Sequence, residues 1–427
     1  MKRRVVVTGA GCVTPLGSDV DVVWQRLVCG ESGVGPITIF DPSGFPVRIA
    51  AEVRDWDLRE VGEDPERWRH HPRQTQFAVA AALKAARSAG LPGARIEPLR
   101  MGVYFGCGEI FPDFVPACRA TAAAVAGEQF QMGRFVDEAR RGCPVDEDLL
   151  LEPGSAAGYV AGLIGAWGPN ANFTAACVSS TKAISEATEA IRRDEADVML
   201  TGGAHSMIHP FGITGFHRLS TLSTRNEEPA RAARPFDRDR DGFVVGEGAA
   251  VLVLEELEHA RHRGAEIWGE LSGWGCTHDA YRITDLDPEA RATAQSIRLA
   301  LQDAELTTAD IDYINAHGSG TVINDRVETL AIKNAFGERA YRIPISSTKS
   351  MTGHLTTACG ALEALVSLMA IRHGVVPPTI NYQTPDPDCD LDYVPNVARE
   401  VSCRHVVKNS FGFGGQNVTL VISRYTA

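Results

Sequence analysis

Three residues in this chain have the types and settings for acyl chemistry: Cys177, His317 and His354. Cys177 stands in FTAACVSSTK, ahead of a run of small residues with helical spacing. That placement predicts a strand-to-helix turn with the thiol beside a helix N-terminus. Unpaired N–H groups and the helix dipole there favour a thiolate. The same N–H groups can meet a developing oxyanion. The competing reading is a small buried hydrophobe in a tight turn. His317 lies in NAHGSGT, just past a predicted strand, among small residues that let a substrate approach. His354 closes SSTKSMTGH, immediately before a second helix of small residues. Either histidine alone reads as a satisfied structural residue. Together with Cys177, each at the start or end of an element, they suggest a Cys–His–His constellation.

Cysteine and histidine also suit zinc. Here 140 residues separate Cys177 from His317, and 37 separate His317 from His354. No short ligand pair results and no fourth ligand presents itself, so no metal is expected. Lys349 and Glu328 are candidates for a buried pair behind the histidines, where a paired charge would set orientation and protonation. A solvated lysine and helix face is the plainer alternative. The segment NSFGFGGQN, residues 409–417, is too apolar and Gly-rich for an ordinary exposed loop. Phe413 there could cover a pocket and offer an N–H.

The elements that must position these residues follow from periodicity. Residues 5–9 read as a buried strand entering a Gly-rich turn, GAGCVTPLG. Such a turn can open a dinucleotide site, but no convincing helix and βαβ unit with an acidic strand end follows. Ala-rich spacing predicts a helix over 76–89. Strands are expected at 101–106, 197–203, 249–254, 267–273, 311–316, 343–347 and 418–424. Strands alternate with helices, which is the pattern of an α/β fold with covered sheets. Residues 110–165 read as an insertion on that scaffold. There is a faint internal repeat. TAACVSSTKAISEATEAIRR and MTGHLTTACGALEALVSLMAIRH each look like a turn feeding a small-residue helix. GVYFGCGEI and DYINAHGSG each look like a strand ending in a Gly-bounded turn. Two such halves stacked face to face would bring the reactive ends together.

Bulk properties exclude several classes. With 427 residues and 44% apolar content, a sizeable core can form. The net charge of −12 argues against general nucleic-acid binding. MKRRVVVTGAG runs straight into a strand, so no signal peptide is expected. No apolar run reaches the length of a membrane span. Ten scattered cysteines without a CxxC pair read as reduced thiols. These features point to a soluble cytoplasmic protein.

Taken together and in order, the motifs resemble the β-ketoacyl synthase family over essentially the whole chain. They are RRVVVTGAGCVTPLG, AACVSS, RPFDRDRDGFVVGEGAAVLVLE, NAHGSGT, SSTKSMTGH, VPPTINYQTPDPDCDLDYVP and NSFGFGGQN. The resemblance implies an α/β thiolase-like fold: two similar halves, 1–256 and 257–427, in a five-layered αβαβα arrangement, usually dimeric. It implies that Cys177 accepts an acyl group and that His317 and His354 assist decarboxylation of a malonyl-type extender. It implies an oxyanion hole from the N–H groups of Cys177 and Phe413, with Phe413 as gate beside Phe411. Lys349 and Glu328 would support the histidines, and Ser319 and Thr321 would contact the pantetheine arm. Substrates would arrive on the phosphopantetheine of an acyl carrier protein, with no further cofactor. That partner is typically acidic, and Arg67, Arg69 and Arg73 are candidates for docking it. A homodimer, or a heterodimer with a chain-length-factor-like subunit, is implied.

NDRVET and TPDPDCDLDYVPNVARE are similar to type II aromatic or polyene polyketide ketosynthases. NSFGFGGQN and SSTKSMTGH are similar to the fatty-acid elongation enzymes. GCGEIFPDFVPACRA departs from the family's small-residue GSGIGG-like pattern near the acyl pocket. A non-catalytic chain-length factor would generally lack the nucleophile, and a thiolase resembles Cys–His–Cys, so neither matches the triad.

Overall fold

The computed structural model describes residues 3–142 and 149–426. Cys143 and the rest of 143–148, within the expected insertion, lie outside the described residues. The first half contributes β1 (Val5–Val13), α1 (Arg73–Ser88), β2 (Met101–Cys107), α2 (Ser155–Ile164), β3 (Asn170–Asn172), α3 (Ser179–Arg192), β4 (Val198–His205) and β5 (Gly248–Glu256). The second contributes β6 (Gly269–His278), α4 (Arg291–Asp303), β7 (Tyr313–Asn315), α5 (Val322–Phe336), β8 (Ile345–Ser346), α6 (Cys359–His373), β9 (His405–Gly412) and β10 (Gln416–Ser423).

The strands form one sheet in the order β8-β7-β9-β10-β6-β1-β5-β4-β2-β3. Counted from their own first strands, both halves have the same order, and parallel and antiparallel pairings fall at the same places. The faint repeat of the sequence is therefore a repeat of topology. The halves also join edge to edge, through an antiparallel pairing of Val6 with Glu270 and Val7 with Gly269. Face-to-face stacking is thus only part of the arrangement.

Layering follows from the helices. α1 covers β1, β4 and β5 on one outer face, and α4 covers β6 and β10 on the other. α3 and α6 pack on each other and reach strands of both halves, so they form the middle layer. The sequence of α6 explains this position. It is buried from Cys359 to Ile371, as a helix with no polar face must be. A side chain at Gly360 would overlap Thr181, which sets how closely the two helices cross.

The expected turn is confined to Thr14–Gly17, and Gly9 and Gly11 lie in the strand instead. β1 runs on through Val13. A Cβ on Gly9 would lie 2.5 Å from the backbone nitrogen of Ala89, and one on Gly11 would overlap the carbonyl of Ala81. These glycines let an Ala-rich helix lie directly on the strand. Within 110–165, helices Phe114–Ala124 and Met132–Gly142 pack on each other, while α2 packs on α1 and β2. No helix among the described residues is long and apolar enough to cross a membrane.

Candidate active site

The middle helices carry the nucleophile turn. Cys177 lies two residues before α3, and Ala176 adopts φ 47° to make the bend. Ser179 locks it, accepting from the Ala175 N–H at 2.8 Å and donating to the Ala176 carbonyl at 2.6 Å. Gly106, at the end of β2, touches this turn so closely that a Cβ would overlap Ser179 and Ser180. His317 follows β7, and His354 lies just before α6. Sequence positions 140 and 37 residues apart thereby meet: the side-chain donor atoms of Cys177, His317 and His354 lie within 4.8 Å of one another. The imidazoles are edge to face, 5.3 Å apart at their centroids. Such a cluster has the donors to hold a metal ion as well, although both rings are already engaged at Nδ1.

Those engagements set the tautomers. The Thr356 N–H donates to Nδ1 of His354 at 3.1 Å. The Lys349 ammonium, a donor only, lies 3.4 Å from Nδ1 of His317. In each neutral ring the proton therefore sits on Nε2. Burial, with the Lys349 charge nearby, holds both histidines well below the ordinary imidazole range, so they are neutral near pH 7. The pair presents two Nε2–H donors.

The thiol departs from expectation. Burial pushes it up to about 11, against the opposing pull of Lys349 and of the N–H groups of Phe413 and Cys177 itself. Desolvation outweighs the helix terminus. Phe413 lines the same cavity as the thiol.

Lys349 does not pair with Glu328. Its ammonium contacts the Glu363 carboxylate and donates to the His317 carbonyl at 2.6 Å. Lys408 shares Glu363, at 3.1 Å, and donates to Thr181 at 2.9 Å. Both lysines and Glu363 are buried. Glu363 and Lys408 escaped the reading of the sequence. The available signal was one acidic residue in an otherwise apolar helix, because a buried charge requires a partner.

Glu328 instead accepts from the N–H groups of His317 and Gly318, at 2.8 and 2.7 Å, and from Asn409 at 3.2 Å. It shapes the His317 loop. Burial raises its carboxyl to about 7, against the pull of those N–H donors. An acid held above its ordinary 4.5 binds its proton more tightly folded than unfolded. Stability from this group is therefore present at low pH and lost as pH rises through 4.5 to about 7. Relative to Glu328→Gln, the wild-type protein should weaken across that window in urea denaturation. Parallel stability curves would refute this.

Ser319 and Thr321 line the same cavity of about 220 Å³, with Phe216, Phe243, Phe411 and Phe413 among its walls. Their hydroxyls are 3.0 Å apart. Asp325 holds the loop through the N–H groups of Gly320 and Phe236, at 3.1 and 2.7 Å. Arg240 backs it, 3.6 Å from Asp325 and 2.5 Å from Asp386. Thus RPFDRDRDG serves as bracing. Phe411 ends β9, is 2% exposed and packs 6.1 Å from the His317 ring. Phe413, in the following turn, is half-buried. Arg73 binds Glu247 at 2.5 Å and the Val53 carbonyl at 3.1 Å, so its charge is neutralised within the fold. Arg67 and Arg69 are exposed and pair with Glu63 and Glu66; Arg69 also donates to His70, and Arg67 lies over the Trp68 ring.

The N-terminal domain of β-ketoacyl synthases matches residues 2–260, and the C-terminal domain matches 268–383. The chain belongs to the β-ketoacyl synthase family. It is 44% identical over 427 residues to 3-oxoacyl-[acyl-carrier-protein] synthase 2 of Coxiella burnetii, covering 99% of each chain. It is 41% identical over 430 residues to the tetracenomycin polyketide synthase ketoacyl synthase alpha subunit of Streptomyces glaucescens, covering 99% of this chain and 97% of that one. Among solved structures it is similar to a complex titled as a type II PKS acyl-carrier protein with its ketosynthase bound to the hexaketide. That match has 35% identity, a TM-score of 0.87 and 100% coverage of both chains. The fold is accordingly thiolase-like, as the resemblance implied.

Proposed function

We propose that this β-ketoacyl synthase joins an acyl group held on Cys177 to a malonyl-type unit on an acyl carrier protein, with loss of CO₂. One observation supports the assignment of roles: Cys177, His317, His354 and Phe413 line one cavity, with the thiol and the two imidazoles within 4.8 Å of one another. First, the Cys177 sulfur attacks the acyl thioester, the carrier thiol leaves with a proton, and the N–H groups of Cys177 and Phe413 bind the transient oxyanion. Next, the malonyl carboxylate departs as CO₂, and its bonding electrons become an enolate held by Nε2–H of His317 and His354. The enolate carbon then attacks the acyl carbonyl. The C–S bond breaks, and the released Cys177 thiolate takes a proton from solvent.

Ser319 and Thr321 are assigned to the pantetheine arm, Phe413 to the gate and Lys349 to the support of His317. Glu328 supports the loop of His317. No redox group or metal is needed for these steps. Arg67 and Arg69 are offered as docking charges. Two halves, 1–256 and 257–427, a cytoplasmic location, and a homodimer or a heterodimer with a chain-length-factor-like subunit belong to the same reading. The relatives come from both fatty-acid and polyketide synthesis, and the starter will decide between them.

The test measures two steps separately. Intact mass after incubation with acyl-carriers of graded length reads the loading of Cys177. CO₂ release from malonyl-carrier reads the second step. His317→Ala and His354→Ala should each lower CO₂ release by about 10²–10³-fold, the typical loss of one oxyanion donor. Loading should change far less. Equal losses in both steps would overturn these roles.

A further inference from the structure

One buried histidine takes no part in the steps above. His205 ends β4 and is 1% exposed. Its Nε2 lies 3.3 Å from the Glu109 carbonyl, and its Nδ1 bonds the Thr356 hydroxyl. A carbonyl can only accept, so Nε2 carries the proton and the Thr356 O–H donates to Nδ1. Burial keeps this ring neutral, with its pKa pulled down to about 4. The ring has little room to turn: a Cβ on Gly108 would lie 2.6 Å from its Nε2.

Thr356 touches a second histidine. Its backbone N–H is the donor that sets the His354 tautomer. Thr356 also has φ 46°, a left-handed conformation that a β-branched residue avoids. Strain of this kind persists only where the surroundings over-determine it. The bond from His205 supplies one such determinant. It ties the first half's sheet to the turn that enters α6 in the second half.

We propose that His205 is a positioning residue for His354: through the Thr356 hydroxyl it holds the strained backbone whose N–H keeps His354 in its Nε2–H form. Without that tie, Thr356 relaxes and its N–H turns away from His354. The His354 proton is then free to move to Nδ1, and the enolate loses a donor. The inference rests on the enolate role assigned to His354.

The test uses the full chain and the same two rates, on His205→Ala, His205→Asn, Thr356→Val and Thr356→Ser. His205→Ala and Thr356→Val should lower kcat for CO₂ release by about 10-fold, in the range found for residues that orient a catalytic group. KM for malonyl-carrier and the loading of Cys177 should be unchanged. Thr356→Ser keeps the hydroxyl and His205→Asn keeps an acceptor, so both should recover most of the rate. The double variant His205→Ala/Thr356→Val should be no worse than either single. If His205→Ala does not fold, the isosteric Thr356→Val against Thr356→Ser decides. Equal losses in both steps, unchanged CO₂ release, or no rescue by Thr356→Ser would overturn the inference. A His354→Ala variant that still releases CO₂ at the wild-type rate would instead overturn the role of His354 itself.

Discussion

Cys177→Ala abolishes acyl-enzyme formation and lowers condensation by about 10⁴-fold or more, the scale on which covalent nucleophiles act. The same variant should still release CO₂ from malonyl-carrier. On the proposed roles, decarboxylation uses the Nε2–H donors of His317 and His354, and these rings are held by Thr356 and Lys349, not by the thiol. Alanine is smaller than cysteine, so the cavity stays open. Intact mass should show no loading with any acyl-carrier, and a CO₂ assay should show turnover without condensed product. A loaded alanine variant would mean that another nucleophile accepts the acyl group. Cys359 is the nearest alternative to consider, with its sulfur 3.5 Å from the Cys177 carbonyl. Cys359 is buried whereas Cys177 is partly exposed to the cavity, which opposes that role.

Glu363→Ala should produce the largest loss of stability, about 3–5 kcal/mol, because it strands the ammonium groups that share its carboxylate. The side chains of Lys349 and Lys408 are 2% and 0% exposed, so neither can turn to water without unpacking the middle layer. Urea denaturation should show a lower midpoint with an unchanged slope. The deficit should depend on pH. Burial already lowers the Lys408 pKa, despite the opposing pull of Glu363. A lysine depressed in this way binds its proton less tightly folded than unfolded, so its own contribution to stability rises with pH; the Lys349 pKa is instead raised, against the effect of burial, by neighbours that include Glu363, so its own contribution is lost at high pH. Removing Glu363 deepens the Lys408 depression, and the deficit should shrink as pH is raised toward the ordinary lysine range. CO₂ release should fall as well, since Lys349 loses the anchor that keeps it beside His317. An unchanged midpoint would show that the buried cluster is not charged as described.

How much of this was legible depends on the range of the forces involved. Cys177, His317 and His354 could be picked out locally, because each stands where a strand ends or a helix begins, among residues small enough to admit a substrate. The α/β alternation and the paired halves were legible for a similar reason. The 3.6- and 2-residue periods and the repeated turn-helix pattern are written along the chain. Charge partners were not. Lys349 was matched to Glu328, but Glu363 lies 14 residues away on the next helix and takes that place. Arg73 looked like a surface charge and is held by Glu247, 174 residues on. The glycines of β1 looked like a turn because local rules read glycine as backbone freedom, whereas here they are absent side chains beneath α1. The thiol offers the same lesson: a helix N-terminus predicts a low pKa, but the depth of the pocket outweighs it. By itself, the sequence determined the family, the alternation of elements and the three side chains that the structure brings together, Cys177, His317 and His354. Only the tertiary structure decided which buried charges meet and which hydrogen bonds fix each imidazole. Those interactions act over 3–4 Å between segments that chain order leaves far apart, and no periodicity along the chain encodes them.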